Sequence, residues 1–239
     1  MLYGIEVYHD IMQNFLIPGA IVLAGLILAG AVYLVRGGGG SGTLSAGNLS
    51  AVRGVSLSDH ILGNPEARVV IVEYSDVDCP YCKDFQKTMR RIMSDYGPKG
   101  EVAWVYRHFP LTILHKNAAK HAEAAECAAT EGGNEAFFAF IDAMHEAAPN
   151  QNQFNPDNYD TIATKIGIDA TKLTACLAEG AFAARVAEDA KNAVDAGGNG
   201  TPYTILITNG APSIPIAGAV PYEALVEIID RALSGTTTP

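Results

Sequence analysis

The chain has 239 residues, and its 26 acidic and 16 basic side chains give a formal charge of −10 at neutral pH. A protein that binds nucleic acid needs a basic surface to contact phosphates, so this balance argues against nucleic acid as a partner. Once an apolar N-terminal segment is set aside, about 150–180 residues remain, which is enough for one globular domain.

The N-terminal part predicts a membrane anchor. Residues 15–35 are 21 residues without a charge, long enough to cross a bilayer as a helix. The alternative is a cleaved signal peptide, but the preceding tail, residues 1–14, contains Glu6 and Asp10 and no Lys or Arg. The apolar stretch is also longer than such a signal needs. We therefore expect a retained single-pass transmembrane helix.

A Gly- and Ser-rich linker over residues 36–55 predicts a flexible tether between the anchor and a domain at residues 56–237. The basic residues nearest the anchor, Arg36 and Arg53, both lie on its C-terminal side. By the positive-inside rule they weakly favour a cytoplasmic domain. The redox chemistry considered below favours the opposite side.

The first elements of the domain predict a βαβ unit. A β-branched run at residues 70–74 is typical of a buried strand, and it leads through an acidic turn to Cys79-Pro80-Tyr81-Cys82 at the start of a helix that ends near Gly97. A second strand follows at residues 102–109 and is ended by a proline. Strand, helix and strand in this order favour parallel pairing.

The second half of the domain predicts a helical block followed by a hairpin and a helix. Three-to-four spacing and frequent alanine indicate helices between about residues 115 and 197, at 116–131, 134–147, 158–166, 169–179 and 181–196. A strand at residues 200–210 can pair with residues 214–217, and an amphipathic helix follows at residues 221–233. The predicted fold is an α/β sheet, with a βαβ half and a ββα half separated by an all-helical insertion.

Two cysteines three residues apart at a helix start are typical of a redox pair. The Cys79 sulfur would lie over the unpaired N–H groups of the first turn, which favour the thiolate, while Cys82 one turn further in would be shielded and would resolve the exchange. Two other interpretations are a zinc site and a structural disulfide. A zinc site needs two more ligands at suitable spacing, which the sequence does not offer, and a bridge across so short a loop stabilises little.

An ordered set of motifs resembles the DsbA family of thioredoxin-fold thiol:disulfide oxidoreductases, and most of all its membrane-anchored or secreted members. The motifs are Glu73-Tyr74-Ser75, Cys79-Pro80-Tyr81-Cys82, Tyr106-Arg107-His108-Phe109-Pro110, Ala125-Glu126-Cys127 and Gly200-Thr201-Pro202. The resemblance covers about residues 57–235. Glutaredoxins share the Cys-Pro-Tyr-Cys motif but have no helical block, whereas about 120 residues separate Cys82 from Pro202 here.

The resemblance implies roles for several residues. Cys79 would be the exposed nucleophile that forms a mixed disulfide with a client, and Cys82 would resolve it. Pro202 matches the family's cis-proline, which pairs the neighbouring backbone with the client, and Thr201 would contact the sulfurs. From the residues alone, Thr201-Pro202 is an ordinary strand-start turn. Pro80 and Tyr81 would contribute client contacts between the two cysteines.

Three acidic residues lie close to the redox pair in sequence. Glu73 matches the buried acid of the superfamily, whose raised pKa would let it relay the Cys82 proton; a partly exposed strand-end carboxylate is the alternative. Asp76 and Asp78 would disfavour a Cys79 thiolate and make the pair less oxidising.

The other two cysteines, Cys127 and Cys176, lie on different predicted helices, and some members of the family have a structural disulfide in this block. Two buried free thiols are the alternative. The histidines His108, His115, His121 and His145 have no ligand spacing and are interpreted as surface or packing residues. We expect no metal and no cofactor.

These features together predict a membrane-anchored, extracytoplasmic thiol:disulfide oxidoreductase that donates disulfides to reduced or unfolded exported proteins. A membrane redox partner would regenerate its disulfide, and the short N-terminal region leaves no room for a dimerisation domain, so we expect a monomer. The alternatives are a reductase or isomerase of the same fold, or a tethered chaperone module that binds clients without turnover.

Overall fold

A five-stranded mixed sheet forms the centre of the domain. The computed structural model describes residues 48–148 and 154–235. The strands are β1 (His60–Gly63), β2 (Val69–Ser75), β3 (Val102–His108), β4 (Tyr203–Thr208) and β5 (Ala211–Ala217), arranged in the order β1-β3-β2-β4-β5. β2 and β3 pair in parallel, and every other neighbouring pair is antiparallel.

Within residues 48–148 and 154–235, six α-helices surround the sheet: α1 (Pro80–Tyr96), α2 (Ala118–Ala147), α3 (Tyr159–Ile166), α4 (Ala170–Glu179), α5 (Ala183–Asp195) and α6 (Tyr222–Ser234). The non-helical backbone at Gly132 and Gly133 breaks α2 into the two segments that the sequence predicts. β2-α1-β3 and β4-β5-α6 are therefore the two halves of a thioredoxin-like fold, with α2 to α5 inserted between them. This confirms the predicted fold class for the domain.

The strand β1 was not predicted. Residues 55–68 contain turn residues and a single apolar pair, and this pattern by itself predicts only a lead-in to β2. In the structure His60–Gly63 extends the sheet by pairing with β3, from His60 opposite Tyr106 to Gly63 opposite Ala103. A short edge strand of this kind is specified by its partner more than by its own sequence.

The predicted transmembrane helix at residues 15–35 lies outside the described residues, as does the linker up to residue 47. In the part of the chain that is described, no helix is both long and apolar enough to span a bilayer.

The sheet is covered on both faces, so β2 is buried along its whole length. On one face, Phe85 and Met89 of α1 pack with Trp104 of β3 and with Phe137 and Phe138 of α2. The opposite face has its own apolar cluster of strand residues, closed by Ala193 and Ala196 at the end of α5. The helical insertion therefore packs against the sheet from both sides and is an integral part of the domain.

A buried ionic network joins the insertion to the strands. Glu126 of α2 lies 3.0 Å from Nε2 of both His60 and His108, and it accepts a hydrogen bond of 2.7 Å from Nε of Arg185 on α5. Burial alone would raise the pKa of Glu126, but the hydrogen bonds from His108 and His60 outweigh it and hold this pKa well below its ordinary value of 4.5. His108 is therefore a buried, hydrogen-bonded residue.

Replacing Glu126 with Gln should destabilise the domain by about 3 kcal/mol, because it removes the charged carboxylate to which Arg185 and two buried histidines are hydrogen-bonded. In the wild type, the pKa of Glu126 is lower in the folded protein than in the unfolded chain, where it has its ordinary value of 4.5. As the pH falls below 4.5, the unfolded chain takes up this proton first, and the stabilisation is progressively lost. Urea unfolding at several pH values measures both effects. The exposed Glu146 of the same helix serves as the control, because Glu146→Gln should change stability little.

A disulfide between Cys127 and Cys176 joins α2 to α4, with Cα atoms 5.9 Å apart and a sequence separation of 49. Closing a loop of this length restricts the unfolded chain. Replacing both cysteines with alanine should therefore lower the free energy of unfolding by roughly 4 kcal/mol. Non-reducing mass spectrometry combined with urea unfolding tests this, and an equally stable double variant would contradict it.

Candidate active site

Cys79 and Cys82 lie at the junction of β2 and α1. Cys79 is the N-cap residue of α1, Pro80 occupies the first turn, and Cys82 lies one turn further along. Both are free thiols; Cys82 is fully buried, while Cys79 is 5% exposed. Cys79 is thus less exposed than the sequence suggested, and only its edge is open to another molecule.

The two thiols have opposite acidities. A hydrogen bond from Cys82, which outweighs the effect of burial, lowers the pKa of Cys79 to about 6, helped by the Thr201 side chain and the first-turn N–H groups. The pKa of Cys82 is raised, first by burial and then by the neighbouring Cys79 sulfur and Glu73. At neutral pH the pair therefore holds one thiolate, on Cys79.

The loop before β4 lies against the redox pair. The Thr201–Pro202 peptide bond is cis, and the Cys79 sulfur lies 3.4 Å from the Thr201 carbonyl oxygen, to which it donates a hydrogen bond when it is protonated. Beside it, Tyr81 is 67% exposed, while Pro80 is partly buried. The structure thus brings together residues from two distant parts of the chain, around residue 80 and around residue 201.

Glu73 is completely buried in the middle of the sheet. Glu73 lies on β2, opposite Tyr106 of β3 on one side and Thr204 of β4 on the other. Its carboxyl oxygens have no well-aligned hydrogen bond among the described residues. Burial raises the pKa of Glu73 to about 7, although the side chains of Ser75 and Trp104 partly oppose this. The alternative of an exposed strand-end carboxylate does not hold.

The acidic loop between β2 and α1 is enclosed by histidines that the sequence did not link to the site. His115 Nδ1 lies 2.8 Å from an oxygen of Asp76, and His121 Nε2 lies 3.3 Å from an oxygen of Asp78. His121 also contacts the Tyr159 hydroxyl at 2.6 Å. His121 is fully buried, so it is a structural residue of the site and not a surface residue.

No group of three or more His, Cys, Asp or Glu side chains within residues 48–148 and 154–235 is arranged to hold a metal ion. The residues around Cys79 and Cys82 are suited to thiol chemistry by themselves. They provide one stabilised thiolate, one protonated thiol and a buried acid below the pair.

Comparison with known proteins identifies the family. A family model described as thioredoxin matches residues 56–231. The Na(+)/H(+) antiporter NhaA 1 of Salinispora arenicola is 33% identical over 178 residues, which are 74% of this chain and 25% of that protein. NhaA 3 of Salinispora tropica is 35% identical over 144 residues, 60% of this chain and 21% of that protein. The chain thus spans about a quarter of the length of these curated relatives.

Solved structures agree on the fold. Pseudomonas aeruginosa DsbA2 is 26% identical, with a TM-score of 0.61 over 74% of this chain and 96% of that one. A thioredoxin-like oxidoreductase from Silicibacter pomeroyi is 27% identical, with a TM-score of 0.61 over 75% and 94% of the two chains. BdbD of Bacillus subtilis, at 23% identity and a TM-score of 0.65 over 80% and 97%, has the same fold.

The chain therefore belongs to the thioredoxin family. The fold, with its helical insertion, and the similarity to DsbA structures make it a DsbA-like thiol:disulfide oxidoreductase.

Replacing Glu73 with Gln should flatten the dependence of stability on pH. The folded protein keeps the Glu73 proton up to about pH 7, whereas the unfolded chain loses it near the ordinary value of 4.5. Stability from the protonated form is therefore present below pH 4.5 and lost as the pH rises through 7, by about 3 kcal/mol. Urea unfolding of both proteins measures this. The exposed Glu66→Gln should keep the wild-type profile.

Proposed function

We propose that this protein donates disulfide bonds to exported proteins through Cys79 and Cys82. The observation that supports it best is the lowered pKa of Cys79, at about 6. Stabilising the Cys79 thiolate stabilises the reduced pair relative to the disulfide, and a stabilised reduced form makes the disulfide a stronger oxidant.

The exchange begins with the Cys79–Cys82 disulfide. A client thiolate attacks the Cys79 sulfur, a new bond forms between client and Cys79, and the old bond breaks to release Cys82 with the electron pair. Cys82 then takes a proton, because burial strongly disfavours its thiolate. Glu73, with a pKa raised to about 7 by burial, supplies this proton as a neutral acid.

The second step releases the oxidised client. A second client thiolate attacks the client sulfur of the mixed disulfide, and Cys79 leaves as a thiolate. The hydrogen bond from Cys82, the N–H groups of the first turn of α1 and Thr201 stabilise this leaving group. A thiol of low pKa leaves faster, so the arrangement favours transfer to the client.

Clients would bind across the cis-proline loop and the exposed end of α1. Thr201 and Pro202 lie beside the Cys79 sulfur, and their backbone would pair with an extended client chain. Tyr81 presents an exposed aromatic ring next to it, with Pro80 between the cysteines. An extended backbone contact suits many client sequences, because its main-chain hydrogen bonds do not depend on the side chains.

We infer the compartment from the proposed chemistry. We place the domain on the extracytoplasmic side of the membrane, anchored by residues 15–35 through the linker at 36–55. A disulfide donor needs an oxidising environment, and a structural bridge such as Cys127–Cys176 is typical of exported proteins. A membrane redox partner would reoxidise the pair, and the catalytic domain would act as a monomer.

The decisive experiment is the reduction potential of the Cys79–Cys82 pair, by equilibration with glutathione buffers and thiol trapping. We expect a value above about −180 mV, more oxidising than the glutathione pool. A value near −270 mV, roughly that of thioredoxin, would instead make the protein a reductase. The variant with Cys127→Ala and Cys176→Ala is the control, since it should show the same potential.

Single cysteine variants separate exchange from binding. Cys79→Ser should abolish oxidation of a reduced model protein, because the attacked sulfur is missing. Cys82→Ser should accumulate a mixed disulfide when its Cys79 thiolate attacks a client that already contains a disulfide, because no Cys82 thiol is present to resolve it, and non-reducing gels detect this species. A different outcome would favour a chaperone module. In that case neither variant would differ from the wild type in client oxidation, and Cys79→Ser would still assist client refolding.

A further inference from the structure

Asp76 contacts both cysteines of the redox pair through its backbone. It lies in the loop between β2 and α1 and is buried. Its N–H donates a hydrogen bond of 3.5 Å to the Cys82 sulfur, and its carbonyl oxygen accepts one of 3.0 Å from the Cys79 N–H. The position of this one residue therefore affects where both sulfurs lie.

The carboxylate of Asp76 makes three further hydrogen bonds. One oxygen accepts the N–H of Asp78 at 2.9 Å. The other accepts the N–H of Leu111 at 2.7 Å and the ring N–H of His115 at 2.8 Å. Donors on both oxygens are what a buried carboxylate requires, and they fix the side chain and hence the backbone that carries it.

We propose that Asp76 is a positioning residue for disulfide exchange, and that His115 holds Asp76 in place. Asp76 acts through the Cys82 sulfur: its N–H orients that sulfur so that the Cys82 thiol can donate its hydrogen bond to Cys79. The proposal rests on the proposed redox role of Cys79 and Cys82. It also predicts that replacing His115 will alter disulfide exchange, although His115 lies 39 residues from Asp76 in sequence.

This proposal reverses the effect expected from charge alone. A negative charge near Cys79 disfavours the thiolate, so an Asp76 that acted only by its charge would raise the Cys79 pKa, and removing it would lower that pKa. If Asp76 positions Cys82, removing its carboxylate loosens the loop and weakens the Cys82-to-Cys79 hydrogen bond. The pKa of Cys79 then rises. The sign of the shift therefore distinguishes the two roles.

The test compares Asp76→Asn, His115→Gln and the wild type in their full-length reduced forms. Thiolate absorbance in the ultraviolet, followed against pH, gives the pKa of Cys79, and glutathione equilibration gives the reduction potential. Asp84→Asn is the matched control, because Asp84 is an exposed residue of α1 two positions after Cys82. It removes the same charge close to the pair without touching the loop.

We expect Asp76→Asn to raise the Cys79 pKa by roughly half a unit to one unit and to make the pair less oxidising. His115→Gln should shift both values in the same direction by a smaller amount, and Asp84→Asn should leave them unchanged. If Asp76→Asn fails to fold, His115→Gln decides, since it leaves the carboxylate and two of its donors in place.

An unchanged or lowered Cys79 pKa in the variants, with the wild type near 6, would overturn the positioning role and leave the proposed function intact. An ordinary thiol pKa in the wild type, together with no client oxidation, would instead refute the proposed function. Unfolding temperatures of each variant separate a loss of global stability from a local change at the sulfurs.

Discussion

The hydrogen bond from the Cys82 thiol to the Cys79 sulfur is the interaction on which the active site depends. It requires a fully buried Cys82, a Cys79 at the N-cap of α1, and a loop that keeps the two sulfurs together. β2 brings the chain to the helix start, the Thr201–Pro202 loop closes the other side, and the helical insertion supplies the residues that enclose the acidic loop. The fold thus stabilises one thiolate by withdrawing its partner from water.

Two buried glutamates show how the same side chain takes opposite states in one domain. Glu126 has two histidines and an arginine as partners, so it remains ionised and joins the insertion to the strands. Glu73 lies on β2 between two neighbouring strands and is paired with no cation in the part of the chain that the structure describes, so burial dominates and its pKa rises. The ionised glutamate contributes to stability, whereas the neutral one costs stability at higher pH, where burial opposes its ionisation.

Most of the fold could be predicted from the sequence because its elements carry strong local signals. The β-branched run of β2, the Cys-Pro-Tyr-Cys helix start and the alanine-rich helices are each readable within about ten residues. β1 was missed because His60–Gly63 is short and depends on pairing with β3. Glu73 was identified by resemblance, but its burial follows only from the positions of β3 and β4 on either side.

The histidines at the site could not be predicted for a different reason. His115 and His121 meet Asp76 and Asp78 only after the loop that follows β3 and the start of α2 pack against the redox loop, and no spacing in the sequence indicates this. The acidic residues were therefore interpreted by charge alone. With their donors included, the same carboxylates become structural supports of the loop that precedes Cys79.

The Cys127–Cys176 bridge has a consequence for how the protein matures. A newly made chain reaches its final structure only after its helical insertion has been oxidised, so it begins as a client of the same chemistry that we propose it performs. The redox site itself uses neither of these cysteines, so a chain whose insertion is still reduced would already carry a working pair, and closing the bridge would make that chain more stable rather than more active.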